Sequence, residues 1–190
     1  MCAIVYCGTN QCQTPFSGGV VCEAALASDS KKTMFSRYET EIRPEWTEAG
    51  HLAVGSYMTI FDHATDCLRE NVGLGKAYAS RTNSGLYVAE AHIAYERVLH
   101  AGDSIKVDTL VLGVDPKKLH LLHQMRRQPN GVSVAVVELI VLNVDRTTGR
   151  TVPVPDPILT RLRALAALHA HETVPPLVGR PLSLNRPKQS

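Results

Sequence analysis

An acid and a histidine stand close together in a loop that precedes a predicted helix. Glu48 and His51 are separated only by Ala49-Gly50, and a carboxylate near an imidazole can take up or release a proton close to neutral pH. The pair makes general acid–base chemistry a candidate activity. The alternative is a solvated loop acid and a histidine that only bonds to backbone. Backbone N–H groups at the helix start, near Ser56 and Tyr57, could hold a developing anion.

A second polar set lies on a predicted strand. Glu90, His92 and Glu96 alternate with less polar residues, so they are expected on one face of that strand. The residues expected on the opposite face are Tyr87, Ala89, Ala91, Ile93 and Tyr95. This alternation is typical of a half-exposed sheet. The alternative is a site buried by a partner subunit, in which the pKa of a desolvated Glu90 carboxyl would be raised.

The elements that carry these residues follow Met34. Alternation over 35–43 predicts a strand that Pro44 ends. A helix follows, with Ser56 as N-cap and Gly73 and Gly75 as its stop. Its apolar face is Tyr57, Ile60, Phe61, Ala64 and Leu68. Long β-branched runs then predict strands over 86–99, 104–114, 119–127 and 132–145, and a last helix begins at Asp156-Pro157.

These elements predict an α+β fold in which a long antiparallel sheet wraps around one central helix, the hotdog arrangement. The last three strands are joined by short turns and should form a meander. Long strands leave unpaired edges, so a homodimer or a dimer of dimers is expected. We expect residues 1–33 to be a loose leader, 34–172 the hotdog domain and 173–190 a flexible tail.

Four stretches of the chain carry a family resemblance. They are Tyr38 to Trp46 (YETEIRPEW), Gly50-His51 with Tyr57 and the run FDHATD from Phe61, LYVAEAHIAYE from Leu86, and LGVDPKKLHLLHQM from Leu112. Their order and spacing over roughly residues 36 to 170 resemble the hotdog thioesterases of the 4-hydroxybenzoyl-CoA thioesterase type. Within that group the chain is most similar to the betainyl-CoA thioesterases.

The resemblance implies an acyl-CoA thioester hydrolase in which a loop carboxylate activates water. Glu48 stands at the acidic position, His51 would orient the thioester, and the loop is one residue shorter than the family motif, with Ala53 in place of an Asn. Asp62 and Glu90 match further acidic positions and are candidate catalytic residues. The alternative is a non-catalytic hotdog protein that binds acyl or other ligands.

A betainyl substrate would bring a quaternary ammonium, which aromatic faces hold best. Trp46, Tyr57 and Tyr95 are the candidates for that contact, together with His92 as a further substrate-binding residue. The alternative for these rings is core packing, which is the more common role of an aromatic on an apolar helix face such as Tyr57.

Composition and residue spacing bear on the partners and cofactors that the protein could have. The formal charge is +2 and no dense Lys/Arg block occurs, so no nucleic-acid partner is expected. No apolar run approaches roughly 18 residues, so no membrane partner is expected either. The five cysteines show no metal-site spacing and no glycine-rich phosphate loop occurs. We therefore expect no metal, no cofactor and a cytoplasmic protein.

Overall fold

A computed structural model describes residues 21–24, 36–176 and 178–179. The strands are β1 Val21–Ala24, β2 Ser36–Glu41, β3 Thr47–Glu48, β4 His51–Leu52, β5 Ser84–Tyr95, β6 Ser104–Asp115, β7 Lys118–Arg127 and β8 Val132–Asp145. The helices are α1 Val54–Val72, α2 Lys76–Thr82 and α3 Asp156–His169, with a short 3₁₀ helix at Pro44–Trp46. Six strands form one antiparallel sheet in the order β1-β2-β6-β7-β8-β5, and β3 and β4 form a separate hairpin.

The main core lies between α1 and one face of the six-stranded sheet, which we call the inner face. Helix α1 buries Ile60, Phe61, Ala64 and Leu68, the apolar stripe that the sequence predicted. Alternate residues of the strands meet this stripe, because successive side chains of a strand point to opposite faces. The inner-face residues in this core include Val107, Leu121, Val137, Leu139 and Val141. The opposite side of the sheet is the outer face.

A buried histidine connects α1 to the sheet. Thr65 Oγ1 on α1 donates to the Phe61 carbonyl at 3.1 Å, and it lies 2.9 Å from His123 Nε2 on β7. Thr109 Oγ1 on β6 lies 2.8 Å from His123 Nδ1. Since the Thr65 hydrogen is already used, Nε2 carries the imidazole proton and Thr109 donates to Nδ1. The ring also stacks on Phe61, with a centroid separation of 5.9 Å.

Helix α3 closes the remaining side of the core. Ile158, Leu159, Leu162 and Leu165 belong to the main apolar cluster. At the end of the helix, the buried His169 accepts a 2.8 Å hydrogen bond from the Val111 N–H through Nδ1, which satisfies a buried backbone donor of β6.

The predicted hotdog architecture is confirmed, including the meander of β6, β7 and β8 and the end of α1 at Gly73. Other boundaries differ. Helix α1 begins at Val54 with Ala53 as N-cap, three residues before the predicted N-cap Ser56, which is already inside the first turn. Helix α2 was not predicted, because Gly75 was interpreted as part of the stop of α1. In the structure Gly75 is the N-cap of α2.

The predicted boundaries of the flanking segments stay predictions. Most of the predicted leader lies outside the described residues. Residues 21–24 form strand β1, which pairs with β2, so this part of the leader is a strand and not a loose segment. The domain itself carries the core from Tyr38 to Leu165. Within the predicted tail, residues 173–176 and 178–179 are described.

Candidate active site

Glu48 and His51 face each other across the β3–β4 hairpin. They are register partners, so their side chains lie next to each other on one face of the ribbon. The two-residue turn between them has positive φ at both positions, 50° at Ala49 and 83° at Gly50, which is the turn geometry that suits a tight hairpin. The chain therefore brings the predicted acid and histidine together through a turn that sequence reasoning had treated as part of a longer loop.

The tip of the hairpin lies in water while its base is fixed to the core. Glu48 and His51 are exposed, whereas Leu52 is 2% exposed and donates its backbone N–H to the Leu99 carbonyl at 2.8 Å. Ala53 N–H donates to the Trp46 carbonyl at 2.9 Å, which closes the base. The two chemical groups are thus held on a short, anchored ribbon.

The tautomer of His51 follows from its hydrogen bond. Nδ1 lies 3.2 Å from the Ala49 carbonyl, and a carbonyl can only accept, so Nδ1 carries a proton. The Nε2 atom is then available as an acceptor, or as a donor when the ring is charged. Such a group can orient an acyl oxygen or exchange a proton with a neighbouring water.

The start of α1 follows the hairpin directly. The N-cap Ala53 has no side chain that can accept a hydrogen bond, so the first-turn N–H groups of Val54 and Gly55 are not capped by it. Val54 is 67% exposed, and the Cα of Gly55 has open space beside it. Exposed N–H donors at the positive end of a helix dipole can stabilise an oxyanion.

Tyr57 and Tyr95 form an aromatic pair next to this helix start. Their ring centroids are 5.0 Å apart in an edge-to-face arrangement. The Tyr57 hydroxyl donates to the Arg97 carbonyl at 3.4 Å, and Tyr57 is buried in the core. Desolvation raises the pKa of both tyrosines above the usual value, although 41% of Tyr95 stays exposed. Both phenols are therefore neutral at physiological pH.

Trp46 packs against the main core and is half-buried at the base of the hairpin. The Arg43 guanidinium lies 4.9 Å from the centroid of its ring. A cation already occupies one face of Trp46, so a ligand can use only the remaining exposed part of the indole. Arg43 stands within the YETEIRPEW stretch, but sequence reasoning assigned it no role of its own, and only its position over the ring shows this contact.

Glu90 and His92 lie away from the hairpin, on the outer face. A β-bulge at Ala89 shifts the register between Val88 and Glu90, and a one-residue insertion reverses which side chains face the core. Beyond the bulge, Glu90 is paired with Ile140 and His92 with Glu138, while Ile93 packs in the main core.

The bulge also changes the predicted partition of β5. Tyr87 pairs with Leu142, which shares the outer face with Ile140, so Tyr87 lies on the same face as Glu90. The structure thus separates Glu90 and His92 from Glu48 and His51 within one chain. Tyr95, by contrast, is on the inner side against α1.

Asp62 is half-buried on α1, next to the buried Phe61. Eight residues separate it from Val54, which corresponds to about 12 Å along the helix. It is therefore two turns from the exposed N–H groups. The adjacent His63 is bonded through Nδ1 to the buried Tyr38 hydroxyl at 3.2 Å, a contact between residues far apart in sequence that no local pattern indicated.

Neither a metal site nor a membrane-spanning helix is found among the described residues. No group of three or more His, Cys, Asp or Glu side chains in 21–24, 36–176 and 178–179 is arranged to hold a metal ion. No helix in the same part of the chain is long and apolar enough to cross a membrane.

The long antiparallel sheet wrapped around one central helix defines a hotdog-type protein. Residues 42–162 match the Thioesterase-like superfamily, and the chain belongs to that superfamily. Among curated relatives, a betainyl-CoA thioesterase of Pseudomonas aeruginosa is 32% identical over 152 residues, covering 80% of this chain and 96% of the relative.

Two solved structures show the same fold. A candidate thioesterase from Pseudomonas putida KT2440 has a TM-score of 0.70 and 28% identity, covering 83% of this chain and 100% of that one. A Staphylococcus aureus protein solved in complex with CoA has a TM-score of 0.76 and 19% identity, covering 83% of this chain and 99% of that one. These two structures confirm the fold, and the superfamily match together with the Pseudomonas aeruginosa relative confirms the family that the sequence resembled.

Proposed function

We propose that this protein hydrolyses a small acyl-CoA thioester at the β3–β4 hairpin. The observation that carries the proposal is the pairing of Glu48 with His51 on a ribbon that runs directly into the uncapped start of α1. A carboxylate, an imidazole and free N–H donors are the groups that water attack on a thioester carbonyl requires.

In this mechanism Glu48 removes a proton from water, or attacks the carbonyl itself. The carbonyl oxygen becomes an oxyanion near the N–H groups of Val54 and Gly55, where the helix dipole favours negative charge. His51 orients the substrate through Nε2. When Glu48 acts as base, the hydroxide adds to the carbonyl, the C–S bond breaks, and the CoA thiolate takes the proton held by Glu48 and leaves as the thiol, which releases the acid. When Glu48 attacks directly, the C–S bond breaks to give a mixed anhydride and the thiolate; one water then hydrolyses the anhydride to the acid and free Glu48 and supplies the proton of the thiol.

The acyl group that we propose is betainyl, because the similar Pseudomonas aeruginosa protein is a betainyl-CoA thioesterase and Tyr57 and Tyr95 form an aromatic pair at the helix start. A quaternary ammonium cannot accept or donate a hydrogen bond, and aromatic faces attract it. Tyr95 and the exposed part of Trp46 supply such faces.

The assembly that we propose is a homodimer through β5. This strand is at the end of the sheet and pairs only with β8 among the described strands. Residues Ala89, Glu90 and Ala91 are exposed in succession, so both faces and the edge of the strand are open there. Edge-to-edge pairing would cover these backbone groups. It would also bring a second copy close to Glu90.

We propose a cytoplasmic location from the sequence. Cys67 on α1 is disulfide-bonded, and this observation opposes the proposal because disulfides are rare in the cytosol. Fractionation of cells that express the protein from its own locus decides between the cytoplasm and an oxidising compartment.

A second candidate function is acyl-CoA binding without turnover. It is favoured by the exposure of Glu48, since a general base is most effective when water is largely excluded from the site. Binding of CoA esters without thiol release would select this function.

The experiment that tests hydrolysis is thiol release from a series of acyl-CoA esters by wild type and Glu48→Gln. The amide keeps the shape of the side chain but cannot accept the proton, so turnover is expected to fall by about a hundredfold or more. Glu41→Gln, an exposed acid on β2, is the matched control and should keep wild-type turnover. Equal turnover in the Glu48 variant and wild type would remove Glu48 from the mechanism.

A further inference from the structure

The β3–β4 hairpin is anchored to the segment that joins β5 to β6, residues 96–103, which we call the β5–β6 loop. Leu99 of this loop is fully buried in the main core. Its carbonyl accepts the N–H of Leu52, and Leu52 is the residue after His51. A displacement of Leu99 is therefore passed to His51 and, across the two-residue turn, to its register partner Glu48.

Two neighbouring carbonyls of the loop are each held by a different element. Leu52 of β4 donates to the Leu99 carbonyl at 2.8 Å. The carbonyl of Val98, one residue earlier, accepts a hydrogen bond from Nη2 of Arg127, the last residue of β7. The Val98 side chain is 54% exposed, so its burial does little to hold the loop in place. The position of the loop at Val98 therefore depends on the Arg127 contact.

The same guanidinium also holds the far end of the loop. Arg127 Nη2 lies 3.3 Å from Asp103 Oδ2, and that oxygen accepts the His100 N–H at 2.8 Å. Asp103 is the last loop residue before β6. The nitrogen Nη2 carries two N–H groups in one fixed plane, so it can hold both acceptors in a single geometry. Arg127 thus joins both halves of the β5–β6 loop to the end of β7.

A third feature of Arg127 is a donor left without an acceptor. Its Nε atom is buried and makes no hydrogen bond within the part of the chain that the structure describes. A buried donor without an acceptor lowers the free energy of unfolding. An arginine with this defect is poorly suited to a purely stabilising role, and departures of this kind are typical of functional regions.

We propose that Arg127 is a positioning residue for the hydrolysis of the thioester. It fixes the Val98 carbonyl, and the adjacent Leu99 carbonyl holds the base of the hairpin next to His51. Reacting groups tolerate little misplacement, and an error of about 1 Å can lower the rate by about a hundredfold. The inference rests on the proposed function, since Glu48 and His51 are the groups that Arg127 places.

The test uses Arg127→Met, which keeps the apolar stem of the side chain and removes both contacts. Arg126→Met is the matched control, because Arg126 and Arg127 are 34% and 31% exposed and each lies beside one aspartate, at 3.1 Å from Asp108 and 3.3 Å from Asp103. Side chains alternate along β7, so Arg126 lies on the face opposite Arg127. Circular dichroism verifies folding. Arg127→Lys keeps the charge without the planar pair of N–H groups, and it replaces Arg127→Met if that variant does not fold.

The first measurement follows the hairpin without turnover. Hydrogen exchange of the Leu52 amide should be about tenfold faster in Arg127→Met than in wild type, because the Leu99 carbonyl that accepts this N–H is no longer fixed. Arg126→Met should exchange at the wild-type rate. A folded Arg127 variant with wild-type exchange at Leu52 overturns the proposal. Faster exchange in a protein that hydrolyses no acyl-CoA ester would refute the proposed hydrolysis and leave the placement of the hairpin by Arg127 in force.

The second measurement separates positioning from a loss of stability or of substrate binding. In thiol-release assays, Arg127→Met should lower kcat by about tenfold or more and keep KM within about twofold of wild type. In the Glu48→Gln background the same substitution should have little further effect, because the group that it positions is gone. An equal loss of kcat with and without Glu48→Gln overturns the proposal. A rise in KM alone also overturns it, since Arg127 would then bind the substrate directly.

Discussion

The folded state is expected to lose stability between pH 7 and pH 4 because of one buried histidine. His123 is completely buried, and burial lowers its pKa from 6.5 to about 3. Thr65 and Thr109 bond both ring nitrogens of the neutral form, and the loss of water around the buried ring disfavours its charged form. In the unfolded chain the same imidazole takes up its proton at an ordinary pKa.

The sign and size of the effect follow from proton linkage. Above the unfolded pKa of 6.5 both states hold a neutral ring, and the stabilising contribution is fully present. As the pH falls below that value, only the unfolded state gains a proton, so the free energy of unfolding decreases until the folded pKa of about 3 is reached. At pH 5 the loss from this single group is about 2 kcal/mol relative to pH 8.

The assay is urea unfolding at pH 8 and pH 5, at one fixed protein concentration because an oligomer's stability depends on it. His123→Gln does not titrate, so it should lose about 2 kcal/mol less than wild type between the two pH values, even though it is less stable at pH 8. His51→Gln, which removes an exposed histidine, serves as control and should follow wild type. If wild type and His123→Gln lose the same stability, the buried neutral ring is not the cause.

Two further predictions concern the acyl pocket and the backbone. Trp46→Leu should reduce the preference for betainyl-CoA over the neutral 3,3-dimethylbutyryl-CoA, since one cation–π contact contributes about 0.5–2 kcal/mol. Faster hydrolysis of the neutral ester by wild type would exclude betainyl-CoA as the substrate but would leave thioester hydrolysis itself in place. Gly73→Ala should lower the free energy of unfolding by about 1–2 kcal/mol, because φ is 91° there and the new Cβ would meet Arg161 Nη1 at 3.3 Å. Gly55→Ala, at an ordinary helical position with open space, should leave stability unchanged or raise it, and an equal loss in both variants would contradict the strain argument.

The β3–β4 hairpin shows how much of the candidate site could be predicted from local sequence. Glu48 and His51 were recognised from residue type and from the family resemblance, and the hairpin places them in register. The turn itself was not predicted, because Ala49 adopts a positive φ that its residue type does not favour. The base of the hairpin depends on Leu52 and Leu99, whose contact joins distant segments.

The sequence by itself determined the elements whose periodicity is strong. The apolar stripe of α1, its end at Gly73 and the meander of β6 to β8 follow from repeats of local patterns, which short-range sterics and burial enforce. The superfamily also followed from the order of motifs along the chain, and the matched range of 42–162 agrees with it.

Only the tertiary structure decided which side chains meet. One bulge at Ala89 places Glu90 and His92 on the outer face, because strand side chains alternate with a period of two and a single extra residue reverses them. The contacts of His63 with Tyr38 and of His123 with Thr65 and Thr109 join residues far apart in the chain. No local pattern specifies such pairs, since their energy comes from burial that exists only after the sheet has wrapped around α1.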